Sequence, residues 1–303
     1  MNEVVIVSGC RTAVGAFGGS LKNTPVVDLG AAVMRETLRK AGLRPTASAD
    51  MRSVAPKKLQ DQGQLELEKK YAVWDAAAAE ITLDEVIMGN VLQTGQGQNT
   101  ARQAMVRAGI SKETPAYTIN KVCGSGLKAI ALAAQSIMTG QAEVVLAGGQ
   151  ENMSMTPMAL PKARWGYRME LTGVGEIYDL LVYDALYEIF YGYHMGVTAE
   201  NIAKLYNISR EDQDRLAVLS HARALQGIKD GLFTEEIVPI SVRAGRQEVL
   251  FAQDERPMET SMEKMAKLKP AFAKDGSVTA GNASGINDRS EEHTSELQSR
   301  SDL

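Results

Sequence analysis

The sequence predicts an α/β protein in which helices cover a largely parallel sheet. Short apolar runs typical of buried strands alternate with longer segments whose apolar residues recur at helical spacing. Such alternation is typical of layered cores whose sheets are buried on both faces. With 303 residues, of which 44% are hydrophobic, the chain can bury a large core in one large domain or two.

The predicted elements follow this alternation from the N-terminus. We predict a strand at 4–8, a helix at 28–41, a strand at 84–92, a helix at 99–108, a strand-helix pair within 116–140, and a strand at 143–148. Beyond about residue 153 the alternation breaks, and Ser209 with Asp212 predicts the N-cap of a helix over 210–230. In a sheet of this kind, reactive groups collect beyond the carboxyl ends of the strands.

Cys123 lies at the predicted strand-to-helix turn of residues 116–140. The unpaired N–H groups of a first helical turn carry partial positive charge, which favours the nucleophilic thiolate. Gly124 and Gly126 leave room for another molecule and allow tight-turn dihedrals. The alternative is a buried, inert cysteine, since free cysteine is among the most buried residue types.

Composition narrows the possible partners and the compartment. A net charge of −4 argues against nucleic-acid binding, and no apolar stretch approaches the roughly 20 residues that span a bilayer. The two cysteines, Cys10 and Cys123, form no disulfide framework and suit a reducing compartment, so we expect a cytoplasmic protein with Cys10 as a packed small side chain. The three histidines lie far apart without a second ligand at metal spacing, so we expect no metal site.

Six segments resemble the thiolases, enzymes that condense or cleave acyl-CoA thioesters at a β-keto position. NKVCGSGLKA, around Cys123, is similar to the nucleophile motif of that family. The other five occur in family order, namely VVIVSGCRTAVGAFGGSL (4–21), DEVIMGNVLQTGQGQNTARQA (84–104), VVLAGGQENMS (144–154), FYGYHMGVTAENIAK (190–204) and TAGNASGIND (279–288). The resemblance implies a thiolase-like layered αβαβα fold, of which this chain holds the N-terminal half and a loop domain.

The resemblance also implies a division of the chain. Residues 1–152 correspond to the N-terminal half-core, 153–277 to the loop domain that holds coenzyme A, and 278–288 to a return to the half-core that is cut short. Residues 47–80 depart from the family; their composition suggests a surface helix with Tyr71 and Trp74 as apolar anchors, and a solvated insertion is favoured over a functional one.

Functional roles are implied by the same resemblance. The family acts on acetyl-CoA and acetoacetyl-CoA through an acyl-cysteine, here Cys123, with coenzyme A as substrate or product and no bound cofactor. Five residues match positions that contact the pantetheine arm of coenzyme A: Leu186, His194, Met195, Ala280 and Ser284. A role of His194 as the base for Cys123 is less favoured than a pocket-lining role. The family forms dimers and tetramers, which implies a homo-oligomer.

Two alternatives to this function remain open. One is a degradative 3-ketoacyl-CoA thiolase for longer substrates, and the other is a non-catalytic acyl-CoA-binding fragment. Lys162, Arg164 and Arg168 could offset the phosphates of coenzyme A or form an ordinary solvated charge run, with equal weight.

The C-terminal end departs from the family after Asp288. The Gly-His-Pro and Cys-x-Gly-Gly-Gly motifs, which carry the family's base and second cysteine, are absent from this sequence. Residues 289–299 resemble a sequencing-library adapter translated in frame, so 289–303 is expected to be a non-native tail; the alternative is an ordinary polar, disordered tail. We therefore expect a C-terminally truncated chain that is nearly inactive by itself.

Overall fold

The computed structural model describes residues 2–60, 63–168 and 175–292. Its strands, in chain order, are β1 (Cys10–Thr12), β2 (Gly15–Ala16), β3 (Leu43–Thr46), β4 (Ala79–Thr82), β5 (Glu85–Gly89), β6 (Ala116–Ile119), β7 (Val145–Asn152), β8 (Met158–Ala159), β9 (Tyr178–Asp179), β10 (Tyr187–Glu188), β11 (Tyr193–His194), β12 (Ile237–Val238), β13 (Ile240–Ala244), β14 (Gln247–Phe251) and β15 (Asn287–Glu292). The α-helices are α1 (Val26–Lys40), α2 (Ala49–Ser53), α3 (Lys57–Gln60), α4 (Glu66–Tyr71), α5 (Thr100–Arg107), α6 (Ser125–Met138), α7 (Met195–Leu205), α8 (Arg210–Lys229) and α9 (Met262–Ala266).

The main sheet has the strand order β12-β1-β15-β7-β5-β6, with β2 paired to β15. Strands β6, β5 and β7 are mutually parallel, and the last residues of β5 and β6, Gly89 and Ile119, lie side by side. Gly89 also pairs with Gly149, beyond which β7 continues to Asn152. β15 is antiparallel to β1 and β7, between which it lies. The prediction of a largely parallel sheet is confirmed, with one antiparallel strand inside it. Residues 289–292, assigned to a tail by the sequence, form part of that strand.

Helices cover both faces of the sheet, as the strand periodicity requires. Along β5, Val86 and Met88 pack in the cluster formed with α1 and α5, while Ile87 faces the opposite side. On that side Ile87 packs with Val145 and Ala147 of β7 and with the apolar face of α6. This period of two places α6, and the turn before it, on one defined face of the sheet.

The predicted N-terminal strand at 4–8 is absent from the described residues 2–9. The strand here begins at Cys10, opposite Glu292, which is the last described residue of β15. The described part of β15 therefore offers residues 4–8 no partner, and an unpaired segment is not a strand. Ile6 is accordingly exposed.

The segment 47–80 contains three short helices, α2 to α4, rather than the single surface helix that the sequence predicts. Pro56 separates α2 from α3, since proline lacks the N–H that a helix interior needs. The predicted anchoring by Trp74 is confirmed, because its ring packs against the core and its Nε1–H donates to the carbonyl of Gly109 at 2.9 Å. Tyr71 ends α4 beside the same glycine.

The described residues 153–168 and 175–286 lack the regular alternation of the half-core, as predicted. They form short two-stranded ladders and helices, together with β12, which pairs in parallel with β1 at the edge of the main sheet. Ser209 caps α8, accepting the backbone N–H of Asp212 at 3.1 Å as the sequence predicts. On the same helix Asp214 is buried and accepts the side-chain amide of Asn282 at 2.9 Å. Helix α8 thereby holds the loop that leads into β15.

Candidate active site

The turn that carries Cys123 joins the end of β6 to the start of α6. The Ser125 hydroxyl accepts the backbone N–H of Lys121 at 2.8 Å and donates to the carbonyl of Val122 at 2.6 Å. The Asn120 side chain accepts the N–H of Val122 at 2.9 Å. These local bonds hold the turn closed and leave Cys123 exposed. The predicted position of Cys123 is confirmed, and the buried alternative is wrong.

Val122, directly before Cys123, has a left-handed backbone with φ 49°. This conformation costs an L-residue about 1–2 kcal/mol, and β-branched side chains rarely adopt it. Backbone strain of this kind clusters at functional sites. The sequence assigned the unusual dihedrals to Gly124 and Gly126; that is wrong, because Gly124 has φ −90° and Gly126 lies within α6.

The first turn of α6 rests directly on the backbone of two strands. A Cβ added to Gly89 at the end of β5 would lie 2.5 Å from the backbone nitrogen of Gly126, and one on Gly149 of β7 would lie 3.2 Å from the Gly126 Cα. Gly89 must therefore lack a side chain if the helix is to approach so closely, and a side chain at Gly149 would be a tight fit. This contact fixes the height of the Cys123 turn above the sheet.

Cys123 opens into a cavity of about 450 Å³, a volume in the range of small-molecule sites. Its walls are mainly apolar and come from the loop after β5, the start of α6, the end of β7 and a π-helical turn over Val182–Leu186, with the side chains of Val91, Leu92, Leu127, Ile130, Met153 and Leu186. The polar lining includes Glu151 and Arg289. An apolar chain linked to the Cys123 sulfur fits such walls.

Glu151, near the carboxyl end of β7, is held by three N–H donors. It accepts the backbone N–H groups of Val91 at 2.8 Å and Leu92 at 3.0 Å, and the side-chain amide of Asn90 at 2.9 Å. Burial raises the pKa of Glu151 above its ordinary value, although these hydrogen bonds act in the opposite direction. No motif in the sequence indicated Glu151, whose only signal is an acidic side chain at the end of an apolar strand.

The five residues matched to coenzyme A contacts do not lie in one place. Leu186 lines the same cavity as Cys123. Ala280 and Ser284 line a second cavity of about 760 Å³. Neither His194 nor Met195 is among the described residues that line these two cavities.

His194 has a structural role at the start of α7. Its Nδ1 accepts the N–H of Gly196 at 2.9 Å and so caps the helix, whose first residue is Met195. The imidazole stacks on the ring of Phe272, with centroids 4.8 Å apart. Because Nδ1 is occupied by the cap, only Nε2 of His194 is left for contact with a ligand.

The second cavity brings together cationic and imidazole side chains that no sequence motif indicated. Arg256, Lys264 and His221 line it together with Ala280 and Ser284. Two of the cations that the sequence did single out, Lys162 and Arg164, are exposed around the turn Ala163–Trp165, and Arg168 is exposed as well. Their two interpretations stay open.

Two further findings concern the described residues as a whole. No group of three or more His, Cys, Asp or Glu side chains among them could hold a metal ion. None of the helices in this part of the chain is long and apolar enough to cross a membrane.

The fold and the turn together define an α/β protein that presents a cysteine at the carboxyl edge of parallel strands. The family model described as "Thiolase, N-terminal domain" matches residues 4–55 and 57–291. The chain belongs to the thiolase family, and its core has that family's layered α/β fold.

Individual relatives agree with this assignment. The chain is 47% identical over 286 residues to an acetyl-CoA acetyltransferase of Syntrophomonas wolfei, covering 94% of this chain and 63% of the relative. It is 48% identical over 290 residues to an acetyl-CoA acetyltransferase of Pseudomonas aeruginosa, covering 95% and 64%, and 44% identical over 290 residues to a probable acetyl-CoA acyltransferase of Staphylococcus aureus, also covering 95% and 64%.

A solved structure is similar over nearly the whole chain. The crystal structure of the Bacillus anthracis acetyl-CoA acetyltransferase matches with a TM-score of 0.80 and 40% identity, covering 99% of this chain and 66% of that one. The chain thus spans 63–64% of the length of the relatives named above.

Proposed function

We propose that this chain is the acyl-accepting part of a thiolase-type acyltransferase acting on acetyl-CoA and acetoacetyl-CoA. The observation that carries the proposal is the position of Cys123, which is exposed at a hydrogen-bonded turn and opens into an apolar cavity. The names of the relatives, which are acetyl-CoA acetyltransferases or acyltransferases, support the same chemistry.

The proposed reaction has two halves that share an acyl-enzyme. The Cys123 thiolate attacks the thioester carbonyl carbon, and its C–S bond forms as the carbonyl electron pair moves onto oxygen. When this intermediate collapses, the bond to the coenzyme A sulfur breaks and coenzyme A leaves as a thiolate. The acyl carbon then bonds to the thiolate of coenzyme A, or to the α-carbon of a second acyl-CoA from which a base has removed a proton. In both cases the bond to the Cys123 sulfur breaks and Cys123 leaves as a thiolate.

The backbone N–H of Cys123 is the proposed first donor to the oxyanion. A donor fixed near the developing negative charge stabilises the transition state without reorganisation. The bonds of Ser125 to Lys121 and Val122 support this role, since they hold the turn from which that N–H projects.

The proposed path of the pantetheine arm begins at Leu186 beside Cys123. His194 and Met195, at the start of α7, and Ala280 and Ser284, on the opposite side, are the further contacts that the family match assigns. Arg256 and Lys264 in the second cavity supply positive charge that suits a phosphate-bearing ligand. Lys162, Arg164 and Arg168 are alternative cations for the same phosphates.

Turnover by this chain alone is proposed to be slow. A general acid or base typically contributes about 10²- to 10⁴-fold to rate, and neither Gly-His-Pro nor Cys-x-Gly-Gly-Gly occurs in this sequence. Acyl-enzyme formation needs the Cys123 thiolate and an oxyanion donor but no carbanion, so it is the half-reaction that we expect to observe.

Residues 289–303 are proposed to be translated from a sequencing adapter rather than from the gene. Long-read sequencing of the source DNA across the codon for Asp288 tests this directly. A frame that continues into a Gly/Ala-rich segment and both missing motifs supports the proposal, whereas an uninterrupted genomic match to the printed tail rejects it.

Location and assembly are proposed on the family resemblance and on composition. We propose a cytoplasmic protein whose parent forms a homodimer or homotetramer. Light scattering after size-exclusion chromatography measures the molar mass of the oligomer. A strictly monomeric full-length protein would reject the proposed homo-oligomer.

The experiment that tests the proposed function is acylation by acetyl-CoA followed by peptide mass spectrometry. We expect one acetyl group on Cys123, none on Cys10, and none on Cys123 in Cys123→Ser; Cys10→Ser is the matched control that keeps the adduct. A chain that binds coenzyme A without forming the adduct is a binding fragment. Faster acylation by long-chain than by acetyl thioesters favours the degradative alternative.

A further inference from the structure

We propose that Glu151 is a positioning residue that limits the length of the acyl group admitted beside Cys123. It does so by clamping the loop after β5, which forms one wall of the cavity. This inference rests on the proposed function, which identifies the ligand of the cavity as an acyl group. It adds that the wall held by Glu151 selects acyl groups by their length.

The clamp joins two segments that are 60 residues apart in sequence. One Glu151 oxygen accepts the N–H of Leu92 and the side-chain amide of Asn90, and the other accepts the N–H of Val91. Val91 and Leu92 themselves line the cavity that contains Cys123. A single carboxylate therefore accepts the backbone N–H groups of both Val91 and Leu92, while the Gln96 side chain donates to the Leu92 carbonyl from the loop itself.

Asn90 extends the same network to the Cys123 turn. Its side-chain oxygen accepts the hydroxyl of Thr100 at 2.8 Å, and its backbone N–H donates to the carbonyl of Ile119, the last residue of β6, at 3.0 Å. Asn90 and Thr100 are both buried. The loop that Glu151 holds is thus tied to the strand that leads into Cys123.

Only a carboxylate satisfies all three donors at this position. A carboxylate is an acceptor at both oxygens, whereas a glutamine places an NH₂ group against at least one N–H donor. In Glu151→Gln at least one bond to the loop is lost and two donors face each other. The wall at Val91 and Leu92 then moves outward, and the cavity admits larger groups.

The test compares Glu151→Gln with wild type and with Glu143→Gln. Glu143 is exposed two residues before the start of the same strand, and its replacement by glutamine removes the same negative charge. Cys123 is acylated with acetyl-CoA and with hexanoyl-CoA, and separately alkylated with iodoacetamide and with N-phenylmaleimide, each followed by peptide mapping. The second pair of reagents measures access to the sulfur without requiring the proposed enzymatic activity.

Two rate ratios are compared: acylation by hexanoyl-CoA over acetyl-CoA, and alkylation by N-phenylmaleimide over iodoacetamide. In Glu151→Gln we expect both ratios to rise by about fivefold to tenfold, a factor typical of pocket discrimination. Glu143→Gln should keep both ratios, and Glu151→Asp should give intermediate ones. Ratios within twofold of wild type, with all rates lowered together, would make Glu151 merely structural and overturn the proposal.

The two reagent pairs separate this inference from the proposed function. If neither thioester acylates wild type while the alkylation ratio still rises in Glu151→Gln, the proposed acyltransferase function is rejected and the role of Glu151 in limiting access to Cys123 is supported. If wild type is acylated and neither ratio changes in Glu151→Gln, the role of Glu151 in limiting access is rejected and the proposed acyltransferase function is supported. Should Glu151→Gln not fold, Thr100→Val removes the bond to Asn90 at nearly constant volume and should shift the ratios in the same direction.

Discussion

The hydroxyl of Ser125 donates a hydrogen bond to the carbonyl of Val122 at 2.6 Å, while the backbone of Val122 is held in the left-handed region at φ 49°. The bond spans Cys123 and closes the turn on which the thiol is presented. A buried serine thus stabilises a conformation that its valine partner would otherwise avoid.

Ser125→Ala should slow acetylation of Cys123 by about tenfold and destabilise the fold by about 1–3 kcal/mol, because the N–H of Lys121 loses its side-chain acceptor. Peptide mass spectrometry over time and urea unfolding measure the two effects. Ser136→Ala, further along the same helix, is the matched control and should leave the acetylation rate within twofold. Equal acetylation rates in wild type, Ser125→Ala and Ser136→Ala would exclude a role of the Ser125 hydrogen bond in presenting the Cys123 thiol.

Val122→Asn should stabilise the protein by about 1 kcal/mol, since asparagine tolerates the left-handed region better than a β-branched residue. Val122 is 44% exposed and lines the Cys123 cavity, so the stability gain is measured net of a partial loss of apolar burial. Val122→Ile keeps the β-branch and should show no gain. Thermal or urea unfolding decides the matter, and a loss of stability in Val122→Asn would contradict the assignment of strain to this residue.

Gly89→Ala should be destabilising, because the new Cβ would lie 2.5 Å from the backbone of Gly126, which cannot give way as the end of a flexible side chain can. We expect a loss of about 1–3 kcal/mol together with slower acetylation. Gly124→Ala is the control, since its Cβ would meet nothing closer than 3.5 Å. A Gly89→Ala protein as stable as Gly124→Ala would show that the helix does not rest on β5 as described.

Asp254→Asn should destabilise the fold by about 1–3 kcal/mol near neutral pH, because it removes one of the two carboxylates paired with the buried Arg11 guanidinium and leaves Glu236 as the other. Burial alone would raise the pKa of Asp254, but hydrogen bonds from the Arg11 guanidinium and the Val14 N–H outweigh it and hold the pKa below the ordinary 3.8. A lowered carboxyl pKa contributes stability above the ordinary value, and this contribution is lost as the pH falls through the lowered one.

The stability difference between wild type and Asp254→Asn should therefore be constant down to about pH 4 and shrink below it. Urea unfolding at several pH values measures the difference. Asp275→Asn, at an exposed aspartate, should change stability by no more than about 0.5 kcal/mol. A difference that grows on acidification would reverse the sign assigned to Asp254.

Local periodicity was sufficient to predict the half-core around Cys123. The strand at 116–119 and the helix that begins at Ser125 follow from spacings of two and of three to four residues, which depend on neighbours in sequence alone. The Cys123 turn lies between them, so its place at the carboxyl edge of the sheet could be predicted as well.

Features that depend on distant segments could not be predicted. The clamp formed by Glu151 needs a loop 60 residues away, and the strand expected at 4–8 needed a partner that the described part of β15 does not provide. The left-handed φ occurs at Val122, although valine disfavours this conformation and the neighbouring glycines would have adopted it readily. Of the predicted coenzyme A contacts, only Leu186 lies in the cavity with Cys123.

The measurement that tests the central claim most directly is discharge of the isolated acetyl-Cys123 protein by coenzyme A. Equal concentrations of coenzyme A and of β-mercaptoethanol are mixed with the acetylated chain, and loss of the acetyl group is followed by mass spectrometry. If Cys123 carries the acyl group of a thiolase-type transferase, coenzyme A should discharge it at least about tenfold faster and yield acetyl-CoA, because the bound thiol reacts from an oriented position. Equal discharge by both thiols would mean that the cavity does not recognise coenzyme A, and would contradict the proposed transferase.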